Sequence, residues 1–172
     1  YYSTLFADAW DAGKYLINNL ERLEQGSRDF HRALFNSTLP GYVIEAVANN
    51  ITVIRSTTCF RIEDGTFLGW EGCHDNKGCC PGSCTHVWNY AQTLAFLFPE
   101  MEQSMRMVEF NLETDEDGKM AFRSMKVFRN DELPQWDMLP ATDGQMGTII
   151  RLYRDWKLSG NDELLKTVWN KA

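Results

Sequence analysis

Two of the three Asp-Gly pairs, Asp64-Gly65 and Asp117-Gly118, lie between β-favouring runs in a chain whose remaining pattern is helical. Asp-Gly between β-favouring runs is a strong hairpin signal, because both residues accept the positive φ that a tight turn demands. Asp64-Gly65 separates Thr57–Glu63 from Thr66–Trp70, and Asp117-Gly118 separates Phe110–Leu112 from Met120–Met125. Two short hairpins are therefore expected.

Apolar residues around them recur at helical spacing. Leu5, Phe6, Ala9, Trp10, Gly13, Leu16, Ile17, Leu20 and Leu23 follow 3- and 4-residue steps, which predicts one long amphipathic helix. A second is expected over Ser27–Phe35 with Ser27 as its N-cap, and a third from Pro40 to about Arg55. Ser83 or Thr85 would cap a helix over His86–Phe98, and Pro99 would open another reaching Glu109. Residues 126–142 read as a connection containing Pro134, Trp136 and Pro140. Two last helices, Asp143–Leu158 and Asp162–Asn170, join through Ser159-Gly160, with Asp143 as the default N-cap of the first. Helical hairpins with short β-hairpins between them suit an α-toroid better than a four-helix bundle.

The chain has 172 residues, enough for the core of one domain, and a net charge of −7. An acidic balance, densest at Glu113–Asp117, argues against nucleic acid as a partner, because phosphate binding needs a basic surface. No apolar run approaches the ~20 residues of a membrane span. Five cysteines, with Cys79 and Cys80 adjacent, fit reduced thiols and a cytoplasmic setting better than a disulfide framework. The opening on Tyr1 and the uncapped amphipathic end at Ala172 suggest a fragment, residues 1–172, of a longer protein.

The densest chemistry lies between Trp70 and Tyr90. That stretch holds four cysteines, two histidines, three glycines and the carboxylates Glu71 and Asp75. Glu71 ends an expected strand between Trp70 and Gly72, where a carboxylate can face a pocket and glycine permits close approach of a ligand. His86, Trp88, Asn89 and Tyr90 follow on a helix whose start would point at the same place; Trp88, Tyr90 and Phe96 also suit the core.

Several short motifs then add together: Leu39-Pro-Gly-Tyr42, Asp64-Gly-Thr-Phe67, Trp70-Glu-Gly72, Thr85-His-Val-Trp-Asn-Tyr90, Phe96-Leu-Phe-Pro-Glu100, Tyr153-Arg-Asp155 and Ser159-Gly160. In this order and spacing the chain resembles the catalytic domain of glycoside hydrolase family 116, the non-lysosomal glucosylceramidase and bile-acid β-glucosidase family. The resemblance implies a mainly α fold, roughly the first half of an (α/α)6 toroid that follows a β-sandwich domain. It implies a retaining β-glucosidase that uses no cofactor, acts on a β-glucoside or related glycoside, and attacks through Glu71. Trp70, His86, Trp88, Asn89 and Asp143 would then contact the sugar. The family's acid/base, an aspartate in a Gly-rich loop, falls after the part this chain matches; Asp75 and Asp143 are the substitutes available here. The family's better-known members carry Asp-Val-His where this chain has His86-Val-Trp88, so a different sugar preference is implied. Arg154 and Asp155 read as an exposed or partly buried ion pair.

The cysteines support a rival reading. Cys73, Cys79, Cys84 and His86 have the ligand types of a structural zinc site, which would make the chain a zinc-stabilised, carbohydrate-binding helical protein without turnover. One short loop departs from the usual grammar of two separated ligand pairs.

Overall fold

A computed structural model describes residues 2–56, 58–71, 80–124 and 139–172 of the chain. It is mainly helical with one small antiparallel sheet, and it divides into two compact units, Tyr1–Val53 and Ile54–Ala172. No helix among the described residues is long and apolar enough to cross a membrane.

The first unit holds α1 (Tyr2–Leu5), α2 (Ala9–Asn18), α3 (Leu20–Phe35) and α4 (Gly41–Ile51), the last continued by a 3-10 turn over Thr52–Arg55. The long first helix expected from periodicity is interrupted twice. Asp8 has extended backbone angles and its side chain accepts from the Asp11 N–H at 2.8 Å, so it caps α2 instead of lying inside a helix. Asn19 breaks the pattern again, and α3 absorbs both Leu20–Leu23 and the expected second helix. Ser27 is thus interior: its hydroxyl donates to the Leu23 carbonyl at 2.9 Å and caps nothing. α3 is strongly polar and carries Glu24–Arg28 and Asp29–Arg32 ion pairs along its exposed side. Ile44 is the one buried residue among the described residues of this unit.

The second unit contains the sheet, in the order β1 (Cys59–Arg61), β2 (Phe67–Glu71), β3 (Cys80–Cys84) and β4 (Arg123–Ser124). The first Asp-Gly turn forms as expected. β1 and β2 pair with Arg61 opposite Phe67, Gly65 adopts φ +89°, and the Asp64 carboxylate accepts from the Thr66 N–H at 2.8 Å. That N–H holds the Asp64 carboxyl below the usual carboxylate range. The second turn forms too, within a narrower ladder: Thr114 bridges Met120 and Gly118 has φ +78°. Phe110–Leu112 is not a strand. It belongs to a wide π-type turn, Val108–Leu112, that continues the helix ending at Met107 and buries Phe110 beside Met120, Leu152, Leu164 and Val168.

The expected helix over His86–Phe98 is two short ones, α5 (Thr85–Trp88) and α6 (Thr93–Leu97). Between them the backbone turns through Asn89, Tyr90 and Ala91 by bonds to the carbonyls three residues back. This leaves Tyr90 78 % and Phe96 62 % exposed, against the core role expected for both. α7 (Pro99–Met107) starts on its proline, as expected. α8 (Thr142–Ser159) and α9 (Asp162–Val168) are joined at Gly160, which takes the left-handed conformation at the end of α8.

Between α7 and α8 lies a cluster of buried charges. Arg106, Arg151 and Arg154 meet Glu102, Glu109 and Asp155. Arg154 and Asp155 do pair, at 2.8 Å, but inside this network and not as an isolated surface pair. Burial pushes the Glu102 and Asp155 carboxyls above the usual range and lowers Arg151 to about 10, with the opposite charges restraining each shift.

Candidate functional site

The candidate residues are positioned by the β2–β3 ladder and by the junction of α5 with α8. In the ladder Trp70 pairs with Ser83, yet Glu71 pairs with Cys80, so Pro81 and Gly82 are extra residues on β3. Proline cannot donate to a ladder and Gly82 has φ +80°, which together explain a bulge at this point. Glu71 therefore ends β2 beside a bulge in the ladder. Trp70 is half-buried with its ring edge-on to Phe60 at 5.7 Å.

β3 leads directly into α5. Neither Ser83 nor Thr85 caps this helix: the Ser83 hydroxyl accepts from the Gly69 N–H at 3.0 Å and the Thr85 hydroxyl donates to the Phe122 carbonyl at 2.9 Å. Cys84 is the cap, its sulfur accepting from the Val87 N–H at 3.4 Å. Trp88 turns into the core, edge-on to Phe67 at 5.8 Å, and its ring N–H donates to the Gly69 carbonyl at 2.8 Å. Trp88 is thus buried, as its core reading expects.

His86 and Asn89 project from the other side of α5 and meet the start of α8. The N-cap position of α8 is Ala141, so Asp143 sits inside the first turn and its carboxylate is free for another partner. That partner is His86, whose Nδ1 bonds to Asp143 Oδ2. The Asn89 amide donates to the Asp143 carbonyl at 2.9 Å. The pair is open to solvent, with 44 % of the His86 side chain and 62 % of Asp143 exposed. In the neutral tautomer whose Nδ1 donates to the carboxylate, Nε2 would be the nitrogen open to a ligand hydroxyl. Tyr90 stands edge-on to the same imidazole at 6.0 Å.

Two glycines in the first turns of α8 make this contact possible. A Cβ on Gly144 would meet the Thr85 hydroxyl at 2.3 Å, and one on Gly147 would meet the Asn89 amide nitrogen at 2.0 Å. Gly144 and Gly147 are three apart, on one side of α8, and let α5 approach to backbone range. The readable signal was this glycine spacing at a helix start. Gly147→Ala is expected to displace the Asn89 amide and cost about 1–3 kcal/mol. Urea unfolding measures the cost, and loss of the Asp143-dependent perturbation of the His86 ring signals in NMR reports the separation.

The structure thus brings His86, Asn89 and Asp143 together. β3 runs antiparallel to β2, so Glu71 lies at the Cys80 end of the ladder while α5 leaves from the Cys84 end. Cys73, His74, Asp75 and Cys79 lie outside the described residues, as do Pro134 and Trp136. Among the described residues no three His, Cys, Asp or Glu side chains gather as metal ligands would. No protein-family model matches this chain, and no curated protein matches it.

Proposed function

We propose that the chain is part of a retaining β-glycosidase, similar to glycoside hydrolase family 116, and that its helices contribute to an (α/α)6 toroid. The observation that carries this reading is the convergence of His86, Asn89 and Asp143. Their motifs pointed to a sugar site before any contact among them was visible, and they come from elements 54 and 57 residues apart.

In this reading the Glu71 carboxylate attacks the anomeric carbon, the C–O bond to the aglycone breaks, and a carboxylic acid about 5–5.5 Å away protonates the departing oxygen. The same group, now a carboxylate, takes a proton from water as that water displaces Glu71, and the sugar leaves with its original anomeric configuration. Nothing in residues 1–172 is assigned as that acid, so the full-length protein is the material to test. The imidazole–carboxylate pair has a different task. His86, held by Asp143, would accept from a hydroxyl of the bound glycoside.

The test is the stereochemistry of hydrolysis of an aryl β-glucoside, followed by proton NMR from the first turnovers. β-Glucose as the first product supports the reading. α-Glucose first would require an inverting arrangement, and no hydrolysis of β-glucoside, β-xyloside or β-N-acetylglucosaminide would remove the enzymatic reading.

A further inference from the structure

One arm of the chain, residues 118–124, holds both halves of the His86–Asp143 pair. Its ladder with β3 sets Ser83 opposite Ser124 and Cys84 opposite Arg123. One step on, the Thr85 N–H and hydroxyl both donate to the Phe122 carbonyl, at 3.0 and 2.9 Å. α5 is thereby fixed at the residue before His86. Two residues further back, the same arm meets the start of α8 through one side chain. The Gln145 amide nitrogen donates to the Gly118 carbonyl at 2.7 Å, and its oxygen accepts from the Met120 N–H at 3.2 Å. Gln145 lies two residues after Asp143. The arm is well anchored here: Met120 and Ala121 are buried, Thr114 bridges Met120, and the Asp115 carboxylate accepts from the Asp117 and Lys119 N–H groups at 2.9 Å each.

We propose that Gln145 is a positioning residue for this pair: by clasping the start of α8 to the arm that also holds α5, it sets the Asp143 carboxylate against His86 Nδ1. The start of α8 needs such a clasp. Ala141, at its N-cap position, offers no side-chain acceptor to the N–H groups of the first turn, where helices fray. The pair itself is largely open to water, and an exposed ion pair orders its own partners weakly. Asn89, bonded to the Asp143 carbonyl, packs against Gly147, one turn on and on the same side of α8 as Asp143. At 100° per residue Gln145 points to nearly the opposite side, so it grips the first turn from behind. With the carboxylate held in place, a neutral His86 keeps its proton on Nδ1 and turns Nε2 outward. Clasp and pair are read without turnover, so the glycosidase reading can fail while this one holds.

Ring-nitrogen NMR spectra of the full chain, taken at a pH where imidazoles are neutral, report which histidine nitrogen carries the proton. The His86 signals are identified by their loss in His86→Gln. In the native protein they should show the Nδ1–H tautomer in excess, and Asp143→Ala should return them to the mixture of an unpaired imidazole. Gln145→Met keeps the side-chain length and removes both bonds. It should move the His86 signals most of the way to the Asp143→Ala values while those of His31 stay unchanged. Gln145→Glu, which keeps the acceptor for Met120 and loses the donor to Gly118, should fall between the native protein and Gln145→Met. Adding Gln145→Met to Asp143→Ala should move the signals no further, since one residue acts through the other. Leu164→Ala cuts the core beneath α9 and leaves the clasp, so it should lower the melting temperature and keep the native His86 signals. A folded Gln145→Met protein with native His86 signals would overturn the proposal. So would a Leu164→Ala protein whose signals move as far as those of Gln145→Met, because lost stability alone would then account for both.

Discussion

Arg151→Met is expected to destabilise the second unit by about 3–5 kcal/mol, the usual result of removing one member of a buried ion network. Arg151 donates to Glu109 Oε1 at 3.0 Å and faces Glu102 Oε1 at 3.9 Å, and all three side chains are nearly inaccessible to water. Its loss leaves two buried carboxylates with one guanidinium fewer between them. Arg151 still carries its charge at neutral pH, because burial lowers it only to about 10. The melting temperature should fall by about 10 °C or more. Arg151→Met combined with Glu109→Leu should recover much of the loss, since apolar replacement of a whole buried pair is often neutral. Lys166→Met is the surface control. It breaks an exposed 2.7 Å pair with Glu163 and should change stability by about 0.5 kcal/mol or less. If Arg151→Met behaved like that control, the buried network would contribute nothing to holding α7 on α8.

Glu71→Gln is expected to lower turnover of β-glucosides by roughly 10⁴-fold or more in the full-length protein, the scale of loss when a covalent nucleophile is removed. The amide keeps the shape of the carboxylate and cannot attack the anomeric carbon. His86→Gln should act differently. It removes an imidazole held by Asp143, and its effect should appear mainly as a raised KM with kcat less affected. Equal losses in both variants would contradict the separate tasks given to the two ends of the β2–β3 ladder.

The elements written most plainly in the sequence were those whose signal is local. The first hairpin rests on Asp64-Gly65 with β-branched and aromatic neighbours, and the α8–α9 junction rests on Gly160. Both depend on a backbone conformation that few residues tolerate. The misread stretches are those where a distant partner decides. Phe110–Leu112 has strand-like composition, yet the core around Leu152, Leu164 and Val168 draws Phe110 in on a helical turn. The break after Trp88 follows from Asn89 and Gln92 bonding to α8, which no local pattern encodes.

The same holds for the candidate site and for the orientation of α8. His86, Asn89 and Asp143 were each singled out, but the contact among them depends on Gly144 and Gly147, whose importance appears only when α5 lies against them. Asp143 read as a helix cap because capping is the default use of an aspartate before an apolar run. It lies two residues further in, and this frees its carboxylate for the imidazole. Periodicity alone reports that α8 is amphipathic; which side faces inward was decided by Arg151 and Asp155 meeting the charges of α7.

Peptide mass spectrometry after incubating the full-length protein with a 2-deoxy-2-fluoro β-glucoside bearing a good leaving group tests the functional account most directly. The account predicts a glycosyl adduct on Glu71 that forms once per molecule and turns over slowly. An adduct on a different carboxylate, or a folded protein that hydrolyses β-glucosides without accumulating any adduct, would contradict it.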